Sequence, residues 1–162
     1  MGVLSRHLKK KSSQKKEVQN VLKALKKTIK LKCSVEEKLE RITKLTAQEL
    51  QVEACSFYII RPGDVLELYA TYGLEQKAVH ETFLRIGEGL NGEVALTRKP
   101  IQVENVWQHS GFVYKPETKE LNLNSFAAVP VIHQEVLLGV LSIQKKEIHR
   151  FTSSEMDFLA IR

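Results

Sequence analysis

The hydrophobic pattern of this chain changes its period near residue 50, and this change separates a helical front from a strand-forming body. Apolar side chains at the spacing of one helix face predict a first helix, at Val18, Val21, Leu22, Leu25 and Ile29. Ser34 can cap a second helix and Glu37 can bond back to it, and this helix is expected to end near Leu50. From residue 54 onward the apolar residues stand in short or alternating runs, which are typical of strands.

The body holds strand signals separated by turn signals. The pattern predicts strands over 54–60, 65–72, 82–86, 101–103, 126–132 and 136–144, with a short helix over 93–98. A final helix is capped by Thr152 or Ser153 and runs to Arg162. This order predicts an α+β domain, in which helices pack on an antiparallel sheet.

The positive charge is concentrated at the N-terminus. Residues 1–32 hold 11 of the 25 basic side chains and 1 of the 19 acidic ones, net +10, which leaves 14 basic and 18 acidic groups, net −4, for residues 33–162. We predict a basic, disordered arm over 1–16 and an amphipathic basic helix over 17–33. One domain is expected over 34–162, with its last helix truncated.

Several function classes find no support in the sequence. Cys33 and Cys55 have no partner at CxxC or Cys/His spacing, and the 5 histidines are scattered, so we expect no metal site, no catalytic residues and no cofactor. No apolar run approaches the roughly 20 residues that a membrane span needs, and no apolar stretch follows the basic N-terminus as in a secretory signal. A cytoplasmic protein without a membrane span is expected.

Residues 87–92 read Gly-Glu-Gly-Leu-Asn-Gly and match the GxGxxG pattern of dinucleotide-binding turns. However, Glu88 puts a carboxylate where a phosphate would lie, and neither a second parallel strand nor a suitably spaced acidic residue follows. We therefore interpret the glycines as residues that permit a positive φ before a helix.

Residues 104–124 form the one long irregular stretch, and such a stretch inside a compact domain is usually functional or mobile. Its aromatic and small polar residues have the composition of a small-molecule pocket, although the aromatics can equally anchor the loop to the sheet. The pocket candidates are Phe57, Asn105, Trp107, His109, Phe112, Tyr114, Asn124, Ser125 and Phe126.

Several motifs of the body resemble the GAF sensory domains. Many GAF domains share Gly-Glu-Gly-Leu-x-Gly, Ser-Phe-x-x-Val-Pro and Gly-Val-Leu-x-x-Gln, found here at 87–92, 125–130 and 139–144. A more specific mark is His-x-x-Phe-x-Tyr-x-Pro-Glu-Thr at 109–118. With this motif the body is similar to the GAF domain that begins the nitrogen-related phosphoenolpyruvate-protein phosphotransferase. The similarity runs from about Leu39 to Leu159.

The resemblance implies a GAF-like antiparallel sheet of about five to six strands with N- and C-terminal helices packed on it. It also implies a regulatory domain that binds a small nitrogen metabolite, with glutamine or a similar amino acid as the candidate, and relays binding through flanking helices. A homodimer through the N- and C-terminal helices is expected. The phosphorylatable histidine of that family lies in a Gly-Gly-x-x-Ser-His type of segment that these residues lack, so this chain alone is not expected to be an enzyme.

An alternative hypothesis assigns the main function of the chain to its basic N-terminal arm. In it the body is a dimerisation module, and the arm binds nucleic acid or an anionic membrane non-specifically through lysine charge. Because Arg6 is the only arginine among residues 1–32 and no aromatic residue stands there, specific nucleic-acid recognition is not expected.

Overall fold

The computed structural model describes residue 16 and residues 19–160 of the chain. The predicted arm over 1–16 therefore lies outside the described residues except for Lys16, and so do Val18 and the chain end at Arg162.

Within the described residues the predicted helical front and strand-forming body are both present. The elements are α1 (residues 19–30), α2 (Val35–Leu50), β1 (Ala54–Arg61), β2 (Val65–Tyr72), β3 (Phe83–Arg85), α3 (Gly89–Thr97), β4 (Ile101–Val103), β5 (Ser125–His133), β6 (Val136–Lys145) and α4 (Ser153–Leu159). Single 3-10 turns lie at Gln76–Ala78, Val106–Gln108 and Pro116–Thr118. Every strand begins and ends within one residue of its predicted bounds, because each is framed by residues that favour turns.

The six strands form one sheet in the order β3-β2-β1-β6-β5-β4, and all its neighbours are antiparallel. Two hairpins, β1–β2 and β5–β6, meet where the first strand pairs with the last. The predicted α+β class is confirmed, with the strands segregated from the helices of the front.

The two faces of the sheet carry separate apolar cores, because successive side chains of a strand point to opposite faces. One core contains Tyr58, Phe126 and Val140, and α3 packs on it through Leu90 and Val94. The other core lies under α2 and α4, and is formed by Ala47, Val52, Cys55, Ala127, Val129, Leu141, Ile143, Phe151 and Leu159. We call these the loop face and the helix face of the sheet.

The cap signals predict the helix starts of α2 and α4 correctly. The Ser34 hydroxyl accepts from the Glu37 amide at 3.2 Å, and the Glu37 carboxylate accepts from the Ser34 amide at 3.0 Å. Thr152 and Glu155 form the same reciprocal pair at the start of α4. Each pair satisfies two amides that would otherwise lack an intrahelical partner.

The short helix α3 begins four residues before its predicted start at residue 93. Residues 89–92 of the glycine-rich segment belong to the helix, and only residues 87 and 88 form the turn that precedes it. Gly92 lies inside the first turns of α3, where an added Cβ would come within 2.7 Å of the Arg85 carbonyl oxygen. A glycine here is therefore required by the close packing of the helix on the chain that precedes it.

Close backbone packing also occurs at the centre of the sheet. Gly139 of β6 faces Ile59 of β1, and an added Cβ would lie 2.0 Å from the Tyr58 carbonyl oxygen. Any side chain at residue 139 would push the two central strands apart, so the join between the two hairpins requires glycine at this position.

Replacement of Gly139 by alanine is expected to destabilise the domain by about 3 kcal/mol or more, because the methyl group must displace the β1 backbone. Gly63→Ala is the matched control, since nothing lies within 4 Å of its added Cβ and only its positive φ of 87° is unfavourable. The Gly63→Ala variant should lose about 1 kcal/mol of its free energy of unfolding. Urea unfolding of both variants measures the difference, and equal losses would contradict the close packing of β1 on β6.

Candidate functional site

The aromatic residues of the long loop form a cluster with one another. The Trp107 ring is 5.1 Å from the Phe112 ring in an edge-to-face arrangement and 5.9 Å from the Tyr114 ring. The indole nitrogen donates to the Leu123 carbonyl oxygen at 3.1 Å, which joins the two ends of the loop. Trp107 is nevertheless 43% exposed. The cluster therefore holds the loop together while one of its rings borders solvent.

Two further pocket candidates make local hydrogen bonds within the loop. The Asn105 side-chain oxygen accepts from the Trp107 amide at 3.1 Å and caps a 3-10 turn. The Nδ1 atom of His109 accepts from the Gly111 amide at 3.0 Å. Both side chains shape the backbone of the loop, and neither of these two bonds involves a side chain of the sheet.

Asn124 and Ser125 lie where the loop enters β5, and both bond to the end of β6. The Asn124 side-chain nitrogen donates to the Lys146 carbonyl oxygen at 2.5 Å, and the Ser125 hydroxyl donates to the Lys145 carbonyl oxygen at 3.4 Å. These bonds fix the C-terminal end of the loop to the sheet.

The remaining candidates, Phe57 and Phe126, lie on opposite faces of the sheet. Phe126 belongs to the loop-face core, which Phe112 also contacts. Phe57 instead packs against the helix-face core, because its neighbour Tyr58 occupies the loop face. Phe57 is therefore separated from the other pocket candidates, and a pocket under the loop would be lined by Tyr58 in its place.

The interior under the loop contains a polar pair that the sequence did not single out. Glu120 is 8% exposed and Gln144 is 4% exposed. The Gln144 side-chain nitrogen donates to a Glu120 carboxylate oxygen at 2.9 Å. Among the described residues no lysine, arginine or histidine forms an ion pair with Glu120. The loop thus inserts a carboxylate without a cationic partner onto the loop face of β6.

Burial raises the pKa of the Glu120 carboxyl above its ordinary value, although hydrogen bonds from Gln144, a backbone amide and Thr118 oppose this shift. Burial likewise raises the pKa of the Tyr58 hydroxyl, and the carboxylates of Glu120 and Glu117 raise it further. Tyr58 and Glu120 are therefore both desolvated, and the exposed Glu117 adds negative charge beside them.

The segment that carries Glu120 is fixed on its outer side. Glu75 donates its amide to the Thr118 carbonyl oxygen at 3.2 Å, and Lys119 pairs with the Glu75 carboxylate at 2.9 Å. The Thr82 hydroxyl donates to the Glu117 carboxylate at 3.2 Å. The segment therefore rests on the chain that connects β2 to β3.

One buried side-chain polar atom in the described part of the chain has no hydrogen-bond partner. Asn91 of α3 is 8% exposed, and its side-chain oxygen is buried without a hydrogen bond. It stands between Leu90 and Val94, both of which belong to the loop-face core. An unpaired acceptor in such a position costs free energy unless a donor reaches it.

A cavity of about 320 Å³ opens at the far end of the loop, beside the segment that carries Glu120. Lys119, which precedes Glu120, is one of its walls, and so is Glu53, whose neighbour Ala54 pairs with Gln144 across the sheet. The other lining residues are Val52, Tyr72, Gly73, Asn122, Leu123 and Lys146. None of the pocket candidates chosen from the sequence lines this cavity.

The glycine-rich segment offers no free phosphate cradle, because its own side chains occupy the start of α3. The Glu88 carboxylate accepts from the Arg85 amide at 2.9 Å and from the Lys115 ammonium at 3.1 Å. Gly87 and Gly89 have φ values of 90° and 66°. Both conformations favour glycine, in agreement with the structural interpretation of this motif.

Within residue 16 and residues 19–160, no three His, Cys, Asp or Glu side chains are arranged to hold a metal ion. No helix in that part of the chain has the length and apolar character that crossing a membrane requires.

Helices α2 and α4 cover one face of the antiparallel sheet, and α3 and the long loop cover the other, which defines a small α+β domain. The family model of the GAF domain matches residues 34–161. The chain belongs to the GAF domain family.

Known relatives agree with this assignment. The phosphoenolpyruvate-dependent phosphotransferase system protein of Escherichia coli (strain K12) is 33% identical over 111 residues, which cover 68% of this chain and 15% of the relative. The Nif-specific regulatory protein of Azospirillum lipoferum is 27% identical over 114 residues, covering 68% of this chain and 18% of the relative. The chain therefore spans less than a fifth of the length of these relatives.

Solved structures support the same fold. The GAF domain from a phosphoenolpyruvate-protein phosphotransferase of Coxiella burnetii has a TM-score of 0.81 at 30% identity, covering 88% of this chain and 85% of that one. The corresponding GAF domain from Acinetobacter has a TM-score of 0.76 at 26% identity, covering 91% of this chain and 85% of that one. The predicted resemblance to phosphotransferase GAF domains is confirmed by both kinds of comparison.

The buried Glu120 carboxyl predicts a specific dependence of stability on pH. The pKa of this carboxyl is raised in the folded state. Its contribution to the free energy of unfolding is therefore fully present below the unfolded-state pKa and is lost as the pH rises through the folded-state pKa. Glu120→Gln removes this titration, so the variant should gain stability relative to the wild type as the pH increases from about 4 to about 8. Urea unfolding at several pH values measures the difference, with the exposed Glu117→Gln as control. Parallel pH profiles of the wild type and Glu120→Gln would contradict the burial of this carboxyl.

Proposed function

We propose that this chain is a non-catalytic sensory domain that binds a small amino-acid-like metabolite, such as glutamine, between the loop face of the sheet and the 104–124 loop. The observation that carries the proposal is the buried Glu120–Gln144 pair under the loop. Burial of a carboxylate without a cationic partner costs free energy, and such groups concentrate at functional sites.

The size of the adjoining cavity favours a small ligand. At about 320 Å³ it lies at the lower end of the range for small-molecule pockets, which extends from roughly 300 to 1,000 Å³. An amino acid suits this volume, whereas a dinucleotide is too large. Its polar walls, which include Glu53, Lys119 and Lys146, agree with a charged or zwitterionic ligand.

The proposed relay to the flanking helices runs through the strands that the two faces share. Gln144 lies on the loop face of β6, and its neighbour Ile143 packs in the helix-face core with Phe151 and Leu159. A ligand that displaces Gln144 would therefore act on the backbone that carries Ile143. Signalling needs only that the ligand bind two arrangements of this unit with different affinity.

The helices that receive the signal are also the proposed dimer interface. Ile29 of α1 and Val35 at the start of α2 are 58% and 57% exposed, so apolar surface is left on the helical side of the domain. Pairing of two copies through the N- and C-terminal helices would cover it. In a longer cytoplasmic protein of the kind to which the relatives belong, these helices would connect the sensor to a catalytic or regulatory part.

Trp107 is the only tryptophan of the chain and lies in the loop, so its fluorescence reports on ligand binding. Titration with the twenty amino acids, with calorimetry in parallel, should show that L-glutamine or a close analogue shifts the emission to shorter wavelength. Phe112→Ala removes one ring of the loop cluster and should weaken this binding by about three- to tenfold.

Phe83→Ala is the matched control, because Phe83 is 46% exposed on β3 and lies outside the loop. It should leave the affinity unchanged. If no amino acid gives heat or a fluorescence change, or if Phe112→Ala alters stability alone, the proposed function is wrong.

A further inference from the structure

The polar pair under the loop defines the chemical groups that the ligand presents, and this inference rests on the proposed function. We propose that Glu120 binds the α-ammonium group of an amino acid and Gln144 binds its α-carboxylate, so that the ligand takes the place of the hydrogen bond between the two side chains.

Glu120 is suited to an ammonium group because its carboxylate offers acceptors and has no cationic partner among the described residues. It is held in the interior at 8% exposure, and its polar contacts come from neutral donors such as the Gln144 amide. A buried carboxylate is stabilised most by a cation that also donates hydrogen bonds. An ammonium group supplies the charge and three N–H donors at once.

Gln144 provides the complementary group. Its side-chain nitrogen donates to Glu120 at 2.9 Å, and the residue stands on a central strand at 4% exposure. When an ammonium group takes over the carboxylate, this donor loses its acceptor and becomes available to a second anionic oxygen. The carboxylate of an amino acid lies one carbon away from its ammonium group, so one ligand satisfies both side chains.

The rest of the interior also favours a ligand with N–H donors. The Glu120 carboxylate from the interior and the Glu117 carboxylate from the surface both act on the Tyr58 hydroxyl, so the surroundings of this pair are negative. An anionic ligand without an N–H donor would be repelled by the same groups. This balance selects an amino acid over a dicarboxylate of similar size.

Access is provided by the segment that carries Glu120. Lys119 and Asn122, on either side of Glu120, are walls of the cavity of about 320 Å³. Glu120 itself is not one of the walls of this cavity. The proposal therefore requires the segment to turn the Glu120 carboxylate toward a ligand held there.

Calorimetry on the full chain tests this proposal with L-glutamine and two analogues. Glutaramic acid lacks only the α-ammonium group, and 4-aminobutanamide lacks only the α-carboxylate. Wild-type protein should bind each analogue at least tenfold more weakly than glutamine, since a charged hydrogen-bonding group is lost in each case. Glu120→Gln should weaken glutamine binding by a similar factor but should not weaken glutaramic acid binding further.

Glu117→Gln is the control, because Glu117 carries the same charge three residues away but is exposed and accepts from Thr82. It should leave glutamine affinity within about twofold, which separates a direct contact from general electrostatic attraction. Gln144→Met should weaken glutamine binding without affecting 4-aminobutanamide. Thermal melts of each variant verify that it is folded.

Three results would each overturn the proposal while leaving the proposed function intact. One is that Glu120→Gln binds glutamine as tightly as the wild type, and another is that glutaramic acid binds as tightly as glutamine. The third is an equal loss in Glu117→Gln. If the wild type binds no amino acid, the proposed function fails and this inference fails with it.

Discussion

The pairing of β1 with β6 is the constraint on which the rest of the structure depends. It joins two hairpins that are far apart in sequence, and it places Gly139 so close to the Tyr58 carbonyl that no side chain fits between the strands. Because alternation then assigns every neighbouring side chain to a face, this single register separates the loop-face core from the helix-face core. The positions of Gln144 under the loop and of Ile143 under the helices follow from it.

The loop face combines an apolar core with a buried polar pair in which Glu120 has no cationic partner among the described residues. Trp107, Phe112 and Tyr114 hold the loop together, and the Glu75 contacts hold the segment before Glu120, so the chain keeps a carboxylate in a desolvated position. Natural proteins retain such unfavourable groups where binding requires them. The proposed recognition site therefore lies in the interior under the loop, whereas the helix face has the character of a structural core.

The same alternation connects the two faces. Adjacent residues of β6 belong to the polar pair and to the helix-face core, and the proposed relay between the two faces runs through this strand. The C-terminal end of α2 packs in this core through Ala47, and at its other end the Tyr69 hydroxyl of β2 donates to Glu36 of the helix at 2.6 Å. This arrangement places the helices where a change in the sheet can reach them.

The sequence by itself determined the elements, the α+β class and the family, because strand alternation, the Ser34 and Thr152 caps and the turn residues are local signals. It also identified the long loop and the aromatic residues that organise it. The interior of the candidate site was decided by tertiary structure alone. Glu120 looks like a solvated loop acid in the sequence, and only the folding of the loop onto β6 buries it against Gln144. Phe57 looks like a pocket residue, and only the register of β1 turns it toward the helices, because the face of a strand residue is fixed by distant pairing.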